Sequence, residues 1–201
     1  MKLIMIFILF IISCTSNVKK DTTVKENKAP IVIVIQPFDK ISPILIDTIY
    51  TQIKRINGRT VLLKPIPLPG TAYNIERKRY RADSLLHFLH RMISEDSVII
   101  GLTDKDISAT KNNIADWGIM GLGYNPGNAC VVSTFRLNKT NLYNEFFKVV
   151  LHELGHTQGL PHCIQKTCFM RDADGKNTTE QETSFCNSCK SFLKNKGWKL
   201  K

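Results

Sequence analysis

No apolar run in this 201-residue chain approaches the ~18 residues that cross a bilayer as a helix. The longest, Leu3 to Ile12, has ten, so a chain that threads a membrane repeatedly as helices is excluded. Glycine numbers 11 and follows no period, which excludes a collagen helix. Six cysteines are too few for a small scaffold held by disulfides. No segment recurs at a fixed period, which argues against a stacked-repeat array. Acid is scarce: 17 Asp+Glu stand against 28 Lys+Arg, a formal net charge of +11. That excess suits anionic lipid, glycan or acidic peptide. The basic residues are scattered and no nucleic-acid motif accompanies them, so no nucleic-acid partner is expected. The one dense cluster, Glu76 to Arg81 (ERKRYR), reads first as a solvated loop or helix start and second as an anion site. What is present, 43% hydrophobic and 22% charged residues, is globular composition sized for one domain.

The front of the chain carries an address. Lys2 supplies a positive start, Leu3 to Ile12 is a secretory apolar stretch, and Ile11-Ile12-Ser13-Cys14 follows. An apolar residue, a small one and then Cys resembles a bacterial lipobox, with Ile11 where Leu is usual. The resemblance implies a lipoprotein signal peptide over 1–14, cleavage before Cys14 and acylation at Cys14. It also implies a lipid anchor in the bacterial cell envelope, periplasmic or at the cell surface. The competing reading is a plain signal peptide followed by chance by a cysteine. Residues 15–29 are polar and unpatterned, a tether with a reach of about 20 Å. Residues 30–201 then form a single domain.

Alternating strands and helices predict an α/β (α+β) body with a mixed sheet of about five strands. Ile31 to Gln36 reads as a buried strand stopped by Pro37. Asp39 to Ile56 reads as a helix, with Asp39 or Ser42 as cap and Pro43 in its first turn. Arg59 to Lys64 is a second strand, and Pro65, Pro67, Pro69 and Gly70 then force a loop. Asp83 to Ile93 is a helix. Ser97 to Thr103, Trp117 to Gly123 and Ala129 to Leu137 are further strands.

The chemistry concentrates in Asn141 to Leu160. Phe147, Val150, Leu151 and Leu154 give this run a helical apolar face. His152 and His156, four apart, project one turn from each other and can grip one ion. Glu153 lies about 100° around the helix, placed to touch a water on that ion without binding it. Gly159 can end the helix with positive φ, Pro161 prevents its continuation, and His162 can return as a third ligand. The full pattern, H-E-x-x-H-x-x-G-x-x-H, arises by chance in roughly five in a million chains of this composition. Three imidazoles leave zinc a fourth position for water, as in a catalytic site. Zinc brings that water's pKa from 15.7 towards ~7, and Glu153 would take the proton and pass it to the leaving amine. His87 and His90 also stand three apart, but surface or core positions suit them better.

Cys163-x4-Cys168 follows, then Met170, then Cys186-x-x-Cys189. Four thiolates in two pairs can close a tetrahedral zinc site; disulfides are the alternative, strengthened by the secretory address. Cys130 reads as a buried strand thiol. Asp172-Ala173-Asp174-Gly175 looks superficially like a calcium loop, but its glycine comes too early, and a turn is expected.

H-E-x-x-H-x-x-G-x-x-H resembles the metzincin metallopeptidases. With Cys163 directly after the third histidine, Cys168-x-Met170 and the later Cys-x-x-Cys, it is similar to the archaemetzincins, peptidase family M54. The likeness covers His152 to Cys189; the stretch 171–185 is shorter than the family pattern. It implies a metzincin-like fold, a twisted sheet over an active-site helix, with a Met-turn at Met170. It implies two zinc ions: a catalytic one on His152, His156 and His162 with Glu153 as general base and acid, and a structural one on Cys163, Cys168, Cys186 and Cys189 (region 163–189). It implies hydrolysis of peptide or protein substrates, extending to aminopeptidase-type cleavage, with extended peptide added to an edge strand, here expected at Ala129 to Leu137. The alternative is a non-catalytic zinc lipoprotein that binds peptides or envelope partners.

Overall fold

The structure, a computed structural model, describes residues 31–200. Cys14, the signal peptide 1–14 and the tether 15–29 lie outside the described residues. The elements run β1 (Val32–Pro37), α1 (Pro43–Ile56), β2 (Thr60–Leu62), β3 (Tyr73–Asn74), β4 (Arg79–Arg81), α2 (Ala82–His90), β5 (Ser97–Thr103), β6 (Ile107–Lys111), β7 (Ile114–Ile119), β8 (Gly121–Gly123), β9 (Ala129–Ser133), α3 (Leu142–Thr157) and α4 (Asn187–Asn195).

Five strands form a mixed sheet in the order β2-β1-β5-β9-β8. The first four run parallel, and β8 runs antiparallel to β9. Alternate side chains face opposite layers. Ile33, Ile35, Ile100, Leu102, Cys130 and Val132 pack on the side of α1, α3 and α4. Val34, Ile99, Ala129 and Val131 pack on the side of α2. The central strands are buried on both faces, which is why they read in sequence as continuous apolar runs.

A second sheet, β3-β4-β6-β7, stands beside the first and was not anticipated. Its strands are short and polar, and charge holds them: Arg79 of β4 lies 3.2 Å from Asp106 and 3.6 Å from Asp116. The basic cluster at 76–81 is therefore half turn (76–78) and half strand (Arg79–Arg81), with its arginines paired to acids. The expected loop or helix start holds for 76–78, which are turn, and for Arg81, which precedes α2; the short strand at Arg79–Arg81 was not expected.

Three expectations are corrected. The strand expected at Ala129 to Leu137 ends at Ser133 and is interior, with every residue buried, because β8 pairs along its outer side. The sheet's edge at the functional end is Gly121–Gly123, the last part of the strand expected over Trp117 to Gly123. The run Trp117 to Gly123 is two strands in different sheets, broken at Met120, whose carbonyl accepts the N–H of Ser133. Asp39 does not cap α1: it sits before the helix at φ +50°, and its Oδ1 accepts the N–H of Leu68. Ser42 takes the cap position with Pro43 following, and Asn57 closes the other end as expected.

Candidate metal centre

Helix α3 supplies two of the three histidines. Its buried residues Phe146, Val150, Leu151 and Leu154 anchor it in the core, leaving His152, Glu153 and His156 towards a cleft. The helix ends at Thr157 in a paired turn: Leu160 N–H donates to the Gly155 carbonyl at 3.1 Å and Gly159 N–H to the His156 carbonyl at 2.8 Å. Gly159 has φ +98°, the left-handed conformation that this closure needs. The reversal brings Pro161 and His162 back beside the helix.

One ligand nitrogen from each of His152, His156 and His162 lies within 4.8 Å of the others. The Nδ1 of His152 stands 2.7 Å from the Phe169 carbonyl, and that of His156 2.8 Å from the Leu160 carbonyl. Each Nδ1 therefore carries the proton and donates, leaving each Nε2 with a bare lone pair. Those two Nε2 atoms face each other at 2.9 Å, where neither has a proton to share. His162 Nδ1 stands 3.3 Å from Asp172 Oδ2, so its remaining nitrogen is also free. Three convergent lone pairs, each backed by an oxygen on the far ring nitrogen, fit a metal cation. Burial, with His156 and His162 nearby, pulls the His152 pKa down to about 3, partly opposed by the Phe169 carbonyl. Burial also lowers that of His156. Both shifts favour the neutral imidazole, the form that a metal ligand must take.

Glu153 is not part of that cluster. Its side chain packs against β8: a Cβ on Gly121 would lie 2.6 Å from Glu153 Oε1, and one on Gly123 would lie 2.9 Å from the Glu153 backbone carbonyl. The two glycines let the edge strand touch the helix. Burial drives the Glu153 carboxyl up to about 8.

Met170 is fully buried beneath the histidines, and its carbonyl accepts the N–H of Cys163 at 2.7 Å. The preceding carbonyl, of Phe169, is the one that orients His152.

The thiols of Cys163, Cys168, Cys186 and Cys189 gather behind this turn within 4.8 Å of one another, all unbridged. Tetrahedral zinc with arms of ~2.3 Å sets sulfurs about 3.8 Å apart. The Sγ atoms of Cys163 and Cys186 are 3.8 Å apart, so the donor set fits zinc rather than disulfides. Cys186 caps α4, and its N–H donates to Cys168 Sγ at 3.3 Å. Burial works to raise the Cys186 thiol, but the Cys189 N–H and the neighbouring thiols outweigh it and hold it at about 7.

Sequence reasoning missed two groups. Asp172, read only as part of a turn, makes that turn by accepting the Asp174 N–H and also backs His162. Asn125 places its Nδ2 3.1 Å from the Leu160 carbonyl and 3.3 Å from His156 Nδ1, holding the loop that orients His156. Asp172 could have been suspected from its place two residues after Met170; Asn125 carries no sequence signal. Of the remaining candidates, His90 pairs with Asn128 at 2.6 Å, and Cys130 is a buried strand thiol as expected.

The cleft in front of the histidines has a volume of about 620 Å³ and is walled by β7, β8, α3 and the stretch after Met170. A three-histidine cluster on a buried helix and the loop that returns beside it, with a carboxylate next to it, defines a zinc metallopeptidase of the metzincin type. Comparison with known proteins agrees. The model of peptidase family M54 matches residues 29–195. An archaemetzincin of Haloarcula marismortui is 32% identical over 139 residues, 63% of this chain and 78% of the relative. The crystal structure of an archaemetzincin from Methanopyrus kandleri is 28% identical with a TM-score of 0.70, covering 86% of this chain and 98% of that one. That of Archaeoglobus fulgidus is 28% identical with a TM-score of 0.68, covering 80% and 98%. The chain belongs to peptidase family M54, the archaemetzincins.

Proposed function

We propose that the cleft hydrolyses peptide bonds with His152, His156 and His162 holding the catalytic zinc and Glu153 as general base and acid. The observation that carries this is the convergence of three oriented, unprotonated imidazole nitrogens next to a carboxylate that is not one of them. Zinc held there would supply Lewis acidity, making a water acidic and polarising a carbonyl. Glu153 takes the proton of the attacking water on its carboxylate and returns it to the leaving amine. A carboxyl raised towards neutral pH by burial suits both halves of that transfer. The edge strand Gly121–Gly123 lines the cleft, and its free main-chain groups suit an extended peptide added as a further strand. Cys163, Cys168, Cys186 and Cys189 would hold a second zinc that ties α4 to the Met-turn. Met170 supports the histidines from below. The apolar run ending at Cys14 supports lipid anchoring in the bacterial envelope, with 15–29 as tether to a single domain over 30–201. Aminopeptidase-type cleavage is the finer reading suggested by the family resemblance. The test is Glu153→Gln: zinc content should stay at two per chain while cleavage of a peptide library falls by at least a hundredfold. Equal cleavage by both proteins would remove Glu153 from the mechanism.

A further inference from the structure

Glu182 follows the short turn Thr179–Gln181 and is only 5% exposed, yet it lines the cleft. Thr178, Thr179 and Val149 line the same wall, and Val149 precedes His152 by one helical turn. The recess they bound therefore opens next to the histidine cluster.

The carboxylate of Glu182 is only partly satisfied. Its Oε1 accepts from Thr178 Oγ1 at 2.8 Å. Among the described residues, Glu182 forms no ion pair and no protein donor meets Oε2, which is not sealed in the protein and so is open to the cleft that Glu182 lines. The nearest cations are engaged elsewhere. Lys148 Nζ donates to the Thr179 carbonyl at 2.7 Å, and Arg171 Nη1 to Gln181 Oε1 at 2.6 Å. On α3, fully buried Glu145 adds a second carboxylate; its Oε2 is met by Asn138 and Asn177, and its Oε1 has no partner. Burial raises the Glu182 carboxyl above its ordinary value, opposed in part by the Thr178 hydroxyl and by Lys148 and Arg171 at a distance. Two buried carboxylates thus lie in this region, and the one buried ammonium near them, Lys148, is bonded to a carbonyl and paired with neither. A buried carboxylate is costly unless a donor or cation completes it.

We propose that Glu182 determines specificity in this cleft by receiving a cationic group of the substrate, the ammonium or guanidinium of a Lys or Arg side chain or a free α-amino group, in the recess bounded by Val149, Thr178 and Thr179. The inference rests on the cleft being the peptidase centre. A substrate cation would supply the partner that Oε2 lacks, and a charge-assisted hydrogen bond there favours it over a neutral group.

The test uses the zinc-loaded full chain and matched peptides carrying Lys, Arg, Leu or Glu at each position in turn, with free or acetylated N-termini. Wild type should favour a cation at one fixed position by about tenfold or more in kcat/KM over Leu, the size of one charge-assisted hydrogen bond. If the cation is the terminal amine, acetylation rather than Leu removes the preference. Glu182→Gln should collapse the ratio to near unity, Glu182→Asp should retain most of it, and Glu182→Lys should turn it towards Glu. A role confined to bracing the turn would lower Tm and leave the ratio unchanged, which overturns the proposal. So does a wild type without cation preference. Persistence of cleavage in a chelator and in Glu153→Gln would instead overturn the peptidase reading beneath it.

Discussion

The sulfur of Met170 fills the space that any side chain at Gly155 would need: a Cβ built on Gly155 lies 2.5 Å from Met170 Sδ. Gly155 stands between Glu153 and His156 on α3, so the turn below the histidines touches the helix that carries them. Gly155→Ala must push Met170, and with it the Phe169 carbonyl that orients His152. Overpacking of this kind costs about 1–3 kcal/mol. A lower Tm together with weaker zinc retention is expected. An unchanged Tm would mean that the two segments are not in rigid contact.

Gly121 meets Glu153 in the same way. A methyl at Gly121 would fall 2.6 Å from Glu153 Oε1 and displace the carboxylate. Gly121→Ala should lower kcat by at least tenfold while zinc content holds. Zinc analysis and steady-state kinetics on the same preparation check this. Loss of zinc in step with activity would indicate a disturbed histidine cluster instead.

Asp172 backs His162, the most exposed of the three histidines, at 3.3 Å. Removing such a partner typically costs 10–100-fold in metal affinity. Asp172→Ala should therefore release the histidine-site zinc at correspondingly lower chelator concentration, while the cysteine-site zinc stays. Competition with a coloured chelator reads both.

The pH dependence of metal-free protein carries two opposite signs. Burial raises Glu153 from an ordinary 4.5 to about 8. The folded state then holds its proton more tightly, so this stability is full below 4.5 and is lost as pH rises through 8. His152 is lowered from 6.5 to about 3. The unfolded state binds its proton more tightly, so that stability is present above 6.5 and lost as pH falls towards 3. Glu153→Gln removes only the first effect. Its Tm advantage over wild type should be larger at pH 8.5 than at pH 4, measured after both zincs are stripped. A difference independent of pH would show that Glu153 is not shielded from water.

Metal analysis should find two zincs per chain, and denaturation with chelator should release the thiols of Cys163, Cys168, Cys186 and Cys189 in addition to that of buried Cys130. Cys186→Ser should lose the cysteine-site zinc and unpin α4, exposing Phe185 and Trp198, which pack edge to face at 6.3 Å. One zinc with only the Cys130 thiol titratable would restore the disulfide reading.

The site was legible because its chemistry is local. Helical periodicity places His152 and His156 on one face, Gly159 and Pro161 force the chain back, and His162 follows within the same turn. Spacing alone therefore singled out the three histidines that the structure brings together, and Cys163, Cys168 and Met170 follow in the same stretch. The central strands were legible because burial on both faces demands unbroken apolar runs. Pairing partners are set by distant residues and leave no such trace: Ala129–Ser133 became interior because Gly121–Gly123 pairs outside it. The polar second sheet depends on arginines meeting Asp106 and Asp116 from elsewhere in the chain. Asp172, Asn125 and Glu182 likewise gain meaning only from what folding brings to them. The chain's own order determined which residues can converge on an ion, since helix geometry needs only neighbours. The tertiary structure decided what faces that ion across the cleft, since that depends on contacts between segments far apart in the chain.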